Sequence, residues 1–512
     1  MNHNYHLNIK KLILFYLLLS VTIWALPHGI NTIIRNSGIP AKDVSIYIKQ
    51  INGNGGTLAS LNATQIRTPA SVVKVFTTYA AILKLGFNYR FTTKFYTKGK
   101  ISKGTLYGDL IVRGMGDPSL SSEDLKSIVK QIKSRGIKKI TGNIIIDRSY
   151  FEVGNKNTSG FDKNTHSPYN AMPDAMMFNE RISTVCVTPN KNSVTKENAD
   201  GSYQVINQLK RVNKPCRGKY SWPAVKIDSK GDNAKIWLKG TISKRCGKRN
   251  ICKVVTQPYK SFYYALKDSL HKAGVKVQGT MHLAKVPKYA KPLFTHYSEP
   301  LEVIISKTAK KSNNVYARQL LLVLGAKTYG APATLHKGQR ALERILDQQG
   351  ALGPGMMRID NGSGLSRTAK MSAKQLTQML EHAHKRYGQK WMDTLAIAGV
   401  DGTIKKRFRG TVVKNRAWMK TGTLRRVKNI GGYVKSKSGH LYAVSILVNT
   451  NKGNWRASGL QNDIIKWLVR YKAKGLVKQV MPLKKITRPM PVSSLWSMET
   501  KVPKELLDTE MF

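Results

Sequence analysis

Three short motifs lie in order along this 512-residue chain, and together they supply the groups that acyl transfer needs. They are Ser-Val-Val-Lys at 71–74, Ser-Asn-Asn at 312–314 and Lys-Thr-Gly at 420–422. A serine hydroxyl becomes a nucleophile when a nearby amine accepts its proton, and Lys74 follows Ser71 by one helical turn. The other motifs add a hydroxyl, an amide and a cation suited to a carboxylate. The set therefore predicts an acyl-enzyme on Ser71.

Each motif has at least one other match elsewhere in the chain, so the surrounding sequence has to show which match is the catalytic one. Ser-x-x-Lys recurs at Ser127, Ser193 and Ser269. Ser-x-Asn recurs at Ser60, and Lys-Ser-Gly recurs at Lys437. These matches fall in helix interiors, a polar loop, an early hairpin and a hairpin turn. The serine of the first motif instead follows a proline-bearing loop and begins an apolar helix. Alone it would be interpreted as an N-cap residue, but its backbone N–H is free and the helix dipole favours negative charge there.

Helices and strands must bring the three motifs together. Apolar periodicity and turn residues predict a hairpin, helices that begin at or flank the first two motifs, and strands around the third. The predicted elements are the hairpin at 41–60, the helices at 71–85, 301–310 and 315–324, and the strands at 417–424, 429–434 and 441–448.

The order and spacing of the motifs resemble those of the serine-type D-Ala-D-Ala carboxypeptidase/endopeptidases of the penicillin-binding protein 4 type, the low-molecular-mass class C penicillin-binding proteins. The first two motifs are 241 residues apart (312 − 71), and the last two are 108 apart (420 − 312). Most relatives in the wider penicillin-binding and β-lactamase superfamily place the second motif much closer to the first. The stretches at 108–120, 360–367 and 398–403 are also similar to this family.

The resemblance implies a catalytic role for each motif residue. Ser71 would attack the carbonyl of the D-Ala-D-Ala bond in peptidoglycan while Lys74 takes its proton. Ser312 and Lys420 would carry that proton toward the leaving amine, and Asn314 would hold the substrate amide. β-Lactams would acylate the same serine as covalent inhibitors. No metal or other cofactor is needed for this chemistry.

The resemblance also implies which residues bind the substrate. The backbone N–H groups of the nucleophile and of Thr423 would form the oxyanion hole. Thr421 and Thr423, with the lysine of the same motif, would bind the terminal carboxylate, and Gly422 would let the substrate backbone approach. Arg367 would contact the substrate or the rim of the site, and a structural, salt-bridged arginine is the alternative interpretation.

The net charge of +58, from 86 basic and 28 acidic residues, predicts a polyanionic neighbour. In an exported protein we expect an anionic wall or membrane surface and no nucleic acid. Two other functions fit the same fold: a β-lactamase and a non-catalytic, basic cell-wall-binding protein. No motif identifies a deacylating glutamate, which disfavours the β-lactamase, and the three intact motifs disfavour a non-catalytic protein.

The N-terminus has the pattern of a signal peptide, with basic residues before an apolar run at 12–25. Export to the periplasm is therefore expected. Ile23 occupies a position where cleavage sites usually carry a small residue, so an uncleaved N-terminal anchor is the alternative. In an exported chain the four cysteines favour disulfides, with three pairings open, over free thiols or a metal site. They are Cys186, Cys216, Cys246 and Cys252.

The predicted fold is α+β: a transpeptidase/β-lactamase-like catalytic domain with a large insertion that forms two small, largely β domains. The predicted parts are a signal peptide at 1–25, a catalytic domain at 28–92 plus 293–472, an insertion domain at 93–182 plus 255–292, an inner cysteine-bearing domain at 183–254, and a basic C-terminal extension at 473–512.

Overall fold

The computed structural model describes residues 26–53, 55–229 and 234–472. The predicted signal peptide and C-terminal extension lie outside these residues. Helices in the described part are α1 (His28–Asn36), α2 (Lys74–Leu85), α3 (Asp124–Ser134), α4 (Pro258–Lys272), α5 (Leu301–Lys310), α6 (Asn314–Tyr329), α7 (Leu335–Gln348), α8 (Ala373–Met392) and α9 (Asn454–Arg470). No helix in these three ranges is long and apolar enough to span a membrane.

The strands fall into three groups along the chain. Those before the inner cysteine-bearing segment are β1 (Val44–Gln50), β2 (Gly56–Leu61), β3 (Arg90–Ser102), β4 (Thr105–Gly114), β5 (Lys139–Ile140) and β6 (Ile144–Asp147). Those within it are β7 (Ser183–Thr188), β8 (Ser193–Lys196), β9 (Tyr203–Asn207), β10 (Lys210–Val212), β11 (Ala224–Asp228), β12 (Ala234–Lys239), β13 (Thr241–Ser243) and β14 (Arg249–Lys253). Those after it are β15 (Lys276–Val277), β16 (Met281–Leu283), β17 (Lys291–Pro300), β18 (Ala396–Ile397), β19 (Ala417–Leu424), β20 (Val427–Lys435) and β21 (Leu441–Asn449).

A six-stranded antiparallel sheet of order β18-β19-β20-β21-β1-β2 carries the third motif on β19. Alternate residues of β21 point to opposite faces of the sheet, as strand geometry requires. Ala443 and Leu447 belong to the core that contains α2, α6 and α8, whereas Val444 and Ile446 belong to the core beneath α9. Both faces are therefore covered, which explains why β21 is apolar along most of its length.

The first motif begins the buried central helix α2, although in a different way from the prediction. Ser71 lies in a tight 3-10 turn, Ala70–Val73, that leads directly into α2. Ala70 has φ of +49°, which makes the chain turn sharply just before the serine. Gly86, with φ of +80°, ends the helix. The serine therefore lies at the buried N-terminal end of α2.

A second sheet of seven strands is built from the residues before and after the inner segment. Its order is β15-β5-β4-β3-β17, with β6 beside β4 and β16 beside β6. Helices α3 and α4 cover one face, where Phe95 and Leu110 meet Ile128 and Phe262. The predicted boundary at 293 falls inside β17, which runs antiparallel to β3.

The inner segment forms three small sheets of order β14-β7-β8, β11-β12-β9 and β10-β13. Ser193 was expected in a polar loop, but it begins β8, because this short polar stretch pairs with β7. A disulfide joins Cys216 to Cys246. Cys186 lies on β7 and Cys252 on the neighbouring strand β14. Small sheets with small cores gain stability from such a cross-link.

Candidate active site

The nucleophile and base predicted in the first motif are in hydrogen-bond contact. Lys74 Nζ donates to Ser71 Oγ at 2.8 Å. The same Nζ donates to Asn314 Oδ1 at 2.6 Å and to the backbone carbonyl of Ser363 at 2.6 Å. The first and second motifs, which are far apart in sequence, therefore meet at one lysine.

Lys74 has surroundings that favour its neutral form. Its side chain is fully buried, and the three oxygens that it contacts belong to a hydroxyl, an amide and a carbonyl. Burial, followed by the positive charges of Lys420 and Arg318, holds the pKa of Lys74 well below its ordinary value of 10.5. A neutral amine 2.8 Å from a serine hydroxyl can accept its proton.

The second and third motifs meet at a second lysine. Lys420 lies fully buried on β19, and its Nζ donates to Ser312 Oγ at 2.8 Å and to the Thr421 carbonyl at 2.7 Å. Ser312 and Asn314 flank the residue that caps α6, so their positions are set by the start of that helix. Four of the five predicted catalytic residues thus form two lysine–serine pairs, and the fifth, Asn314, links the pairs through its contact with Lys74.

The turn at Ser312 has unusual backbone geometry. Ser312 has φ of +56°, in the left-handed region. Asn313 Oδ1 then accepts a hydrogen bond from Tyr316 N at 3.1 Å and caps α6. Asn314 Nδ2 donates to the Tyr169 carbonyl at 3.0 Å, which leaves its oxygen for Lys74. The cap and this contact fix the second motif on both sides.

The predicted carboxylate-binding residues lie around the third motif. Thr421 Oγ1 is 2.8 Å from Thr403 Oγ1, and Thr423 Oγ1 accepts a hydrogen bond from Lys428 Nζ at 3.0 Å. Arg367 is exposed, and its Nη1 donates to a backbone carbonyl in the β19–β20 turn at 2.9 Å. Arg367 is therefore on the rim, not in the buried part of the site.

Gly422 also has a packing role that the sequence did not indicate. A Cβ added at Gly422 would lie 2.9 Å from Pro69 O and from the backbone nitrogens of Ser71 and Val72. Real Cβ atoms essentially never come that close to such backbone atoms. Any other residue at 422 would therefore push β19 away from the turn that carries the nucleophile. The glycine lets β19 and the N-terminal end of α2 pack together.

Two further groups in the site had no sequence signal of their own. The Ser363 carbonyl accepts from Lys74, but a backbone atom leaves no mark on residue type. Arg318 lies one turn after Asn314 on α6, is 4% exposed, and donates to the Ala171 carbonyl at 2.6 Å. Burial lowers the pKa of Arg318 to about 10, and Asp360 acts in the opposite direction. Its helical spacing from Asn314 was the one available clue.

The site contains no metal-binding cluster. Within the ranges that the structure describes, no group of three or more His, Cys, Asp or Glu residues could hold a metal ion. The buried side chains of Lys420 and Arg318 place positive charge close enough to Lys74 to lower its pKa. Such a site suits substrates that bring their own negative charge.

The chain is similar in sequence to known carboxypeptidases over most of its length. It is 30% identical to the D-alanyl-D-alanine carboxypeptidase DacB of Haemophilus influenzae, covering 80% of this chain and 85% of that protein. It is 28% identical to a D-alanyl-D-alanine carboxypeptidase of an Actinomadura species, covering 78% and 76% of the two chains.

The fold is similar to that of a solved penicillin-binding protein 4. The crystal structure of penicillin-binding protein 4 (dacB) from Haemophilus influenzae superimposes with a TM-score of 0.73 at 26% identity, covering 86% of this chain and 99% of that chain. The same protein complexed with a β-lactam gives a TM-score of 0.70. These likenesses confirm the predicted α+β transpeptidase-like fold with a large insertion.

A model of the D-Ala-D-Ala carboxypeptidase 3 (S13) family matches residues 26–471, which is most of the chain. The match spans all three motifs and the whole insertion between the first two. The chain therefore belongs to the D-Ala-D-Ala carboxypeptidase 3 (S13) family.

Proposed function

We propose that this enzyme cleaves the D-Ala-D-Ala bond at the end of peptidoglycan stem peptides, and the corresponding bond in cross-links, through an acyl-enzyme on Ser71. The observation that carries this proposal is the 2.8 Å contact between Ser71 Oγ and the buried amine of Lys74. Membership of the family supplies the substrate class, and the two lysine–serine pairs supply the proton path.

In acylation, Ser71 Oγ attacks the carbonyl carbon of the penultimate D-Ala while its proton passes to Lys74 Nζ. Negative charge develops on the carbonyl oxygen, where the backbone N–H groups of Ser71 and Thr423 would stabilise it. When the C–N bond breaks, the pair formed by Ser312 and Lys420 carries that proton from Lys74 to the leaving amine, so Lys74 is neutral again. The released product is free D-Ala, or the neighbouring stem peptide when a cross-link is cut.

In deacylation, neutral Lys74 takes a proton from the water that attacks the ester carbonyl, and it returns this proton to Ser71 Oγ as the ester bond breaks. A β-lactam presents a strained amide to the same nucleophile, so it forms an ester on Ser71. Its cleaved amide nitrogen stays tethered to the acyl group and hinders the approach of water. Slow release of penicillin is therefore expected.

Labelled penicillin and purified peptidoglycan test this function together. The wild-type enzyme should bind fluorescent penicillin covalently, and Ser71→Ala should bind none. Mass spectrometry of muropeptides should show loss of terminal D-Ala or of cross-links after digestion with the wild type, and neither after digestion with Ser71→Ala. Labelling of Ser71→Ala would refute the assigned nucleophile, and rapid turnover of penicillin would point to a β-lactamase.

We also propose that the enzyme works outside the cytoplasm, in the periplasm, against an anionic wall or membrane surface. The leader pattern in the sequence and the net charge of +58 support this location. Binding to isolated sacculi should fall steeply as salt rises above about 0.1 M, because screening weakens contacts between exposed charges. Binding that does not change with salt would contradict an electrostatic origin.

A further inference from the structure

A carboxylate from the insertion reaches the second motif. Glu180 Oε2 accepts a hydrogen bond from Asn313 Nδ2 at 2.7 Å, across 133 residues of sequence. Asn313 is the residue between Ser312 and Asn314, and the mechanism above gives it no chemical role. A contact at the centre of the motif is therefore placed to act on both of its catalytic neighbours.

The backbone is strained in both segments that form this contact. Ser312 has φ of +56°, and the consecutive residues Asn179, Glu180 and Arg181 have φ of +46°, +54° and +64°. Non-glycine residues in the left-handed region carry a conformational cost and persist where the surroundings hold them there. Three such residues in succession indicate that the chain is held in this shape.

The residues on either side of Glu180 hold that shape. Asn179 exchanges two hydrogen bonds with Ser122, each of 2.9 Å. Arg181 is 4% exposed, and its Nη1 donates to the Met172 carbonyl at 2.9 Å. Glu180 is thus anchored on both sides within the insertion, and it offers Asn313 a fixed acceptor.

Asn313 in turn uses both ends of its amide. Its oxygen caps α6 by accepting from Tyr316 N, while its nitrogen donates to Glu180. Burial and then the Glu180 carboxylate, which also interacts with the hydroxyl, raise the pKa of Tyr316 well above its ordinary value. The same carboxylate therefore interacts with two side chains at the start of α6.

We propose that Glu180 is a positioning residue for acyl transfer: it fixes Asn313 and thereby holds Ser312 against Lys420 and Asn314 against Lys74. The two distances that depend on this turn are 2.8 Å for Lys420 Nζ to Ser312 Oγ and 2.6 Å for Lys74 Nζ to Asn314 Oδ1. The insertion then contributes directly to the geometry of the catalytic site. This inference rests on the proposed function.

Glu180→Ala and Glu180→Gln test the hydrogen bond in the full-length enzyme. Glu180→Ala should lower kcat for a D-Ala-D-Ala peptide by about 10²-fold with KM changed little, because small misplacements of catalytic groups have effects of that size. Glu180→Gln should keep most of kcat, since an amide oxygen can accept the same hydrogen bond. Glu123→Ala, an exposed glutamate of the same insertion, is the matched control and should match the wild type.

An exchange of donor and acceptor gives a second test that does not depend on the folding of Glu180→Ala. Asn313→Asp keeps a good helix cap but faces Glu180 with a second carboxylate, so kcat should fall. In the Glu180→Gln/Asn313→Asp double variant the new amide can donate to the new carboxylate, and kcat should recover at least tenfold from the Asn313→Asp value. Thermal unfolding of each variant separates loss of geometry from loss of fold.

Three results would overturn the positioning role: wild-type kcat in a folded Glu180→Ala, an equal loss in Glu180→Gln, or no recovery in the double variant. Each of these presupposes a wild-type enzyme that cleaves the peptide and binds penicillin. A wild type that does neither would instead refute the proposed function, so the two failures are distinguishable.

Discussion

Gly364 packs against the carbonyl of Ala70 so closely that an added Cβ would lie 2.0 Å from that oxygen. The same Cβ would lie 2.9 Å from the backbone nitrogen of Ser71, and Gly364 has φ of +79°. This contact joins the loop that supplies the Ser363 carbonyl to the turn that carries the nucleophile. Position 364 therefore requires glycine for both its conformation and its space.

Gly364→Ala should displace the nucleophile. We expect the rate of acylation by fluorescent penicillin to fall by about 10²-fold, because the Ser71 turn must move to admit the methyl group. The free energy of unfolding should fall by roughly 2–4 kcal/mol from overpacking and backbone strain. Gly350→Ala is the matched control, since Gly350 also has positive φ but has no atom within 4 Å of an added Cβ. Equal acylation rates for the two variants would contradict the role of this contact.

Arg318 should set the pH range in which Lys74 acts as a base. Acylation needs neutral Lys74, so its rate rises with pH through the pKa of that amine. Arg318→Met removes a nearby positive charge, which favours protonated Lys74 and raises its pKa. The acid limb of the pH–rate profile should then move to higher pH. Arg318→Lys keeps the charge and should keep the wild-type limb; an unmoved limb in Arg318→Met would count against the electrostatic effect.

Arg367 should act on the substrate from the rim of the site. If it pairs with the terminal carboxylate, Arg367→Ala should lower kcat/KM for a D-Ala-D-Ala peptide by roughly tenfold. The same variant should behave as wild type on a peptide ending in a carboxamide. Arg425→Ala removes another exposed charge but keeps the backbone carbonyl that Arg367 contacts, so it is the control. A similar loss on both peptides would assign Arg367 a structural role.

The disulfide should stabilise the inner segment without affecting catalysis. Cys216 and Cys246 are 30 residues apart in sequence. Because the cross-link lowers the entropy of the unfolded chain, a loop of this length should stabilise the folded state by roughly 3–4 kcal/mol. The Cys216→Ser/Cys246→Ser variant should expose the inner segment to proteolysis at lower temperature. Its kcat should stay within about twofold of wild type, because the site hydrogen bonds described above run to residues outside 183–253. A large loss of kcat would show that the inner segment supports the site.

The motif-bearing elements could be predicted from the sequence because each has a local signal. The helix that ends at Gly86, the hairpin before it and the three strands around Lys420 all appear close to their predicted positions. The family confirms the predicted enzyme class, a serine-type D-Ala-D-Ala carboxypeptidase. Periodicity, glycine turns and motif order were sufficient for this level of description.

What the sequence did not predict depends on contacts between distant segments. The Ser363 carbonyl is a backbone group, and the pairing of Glu180 with Asn313 spans 133 residues without a motif at either end. The strand at Ser193 forms because β7 lies beside it, despite its polar composition. These features depend on contacts between segments that are distant in sequence, and local composition does not predict such contacts.

The register of the catalytic sheet has a consequence for how the enzyme is made. The early strand β1 pairs along its whole length with β21, so that Val44 faces Val448, and β21 alone links β1 to the Lys420-bearing part of the sheet. During synthesis, strands β1 and β2 and helix α2 are made first. More than three hundred further residues must follow before β21 can join β1 to the strands that carry the third motif. A chain released before residue 441 lacks this joining strand, so covalent labelling by penicillin would serve as an assay for completed biogenesis.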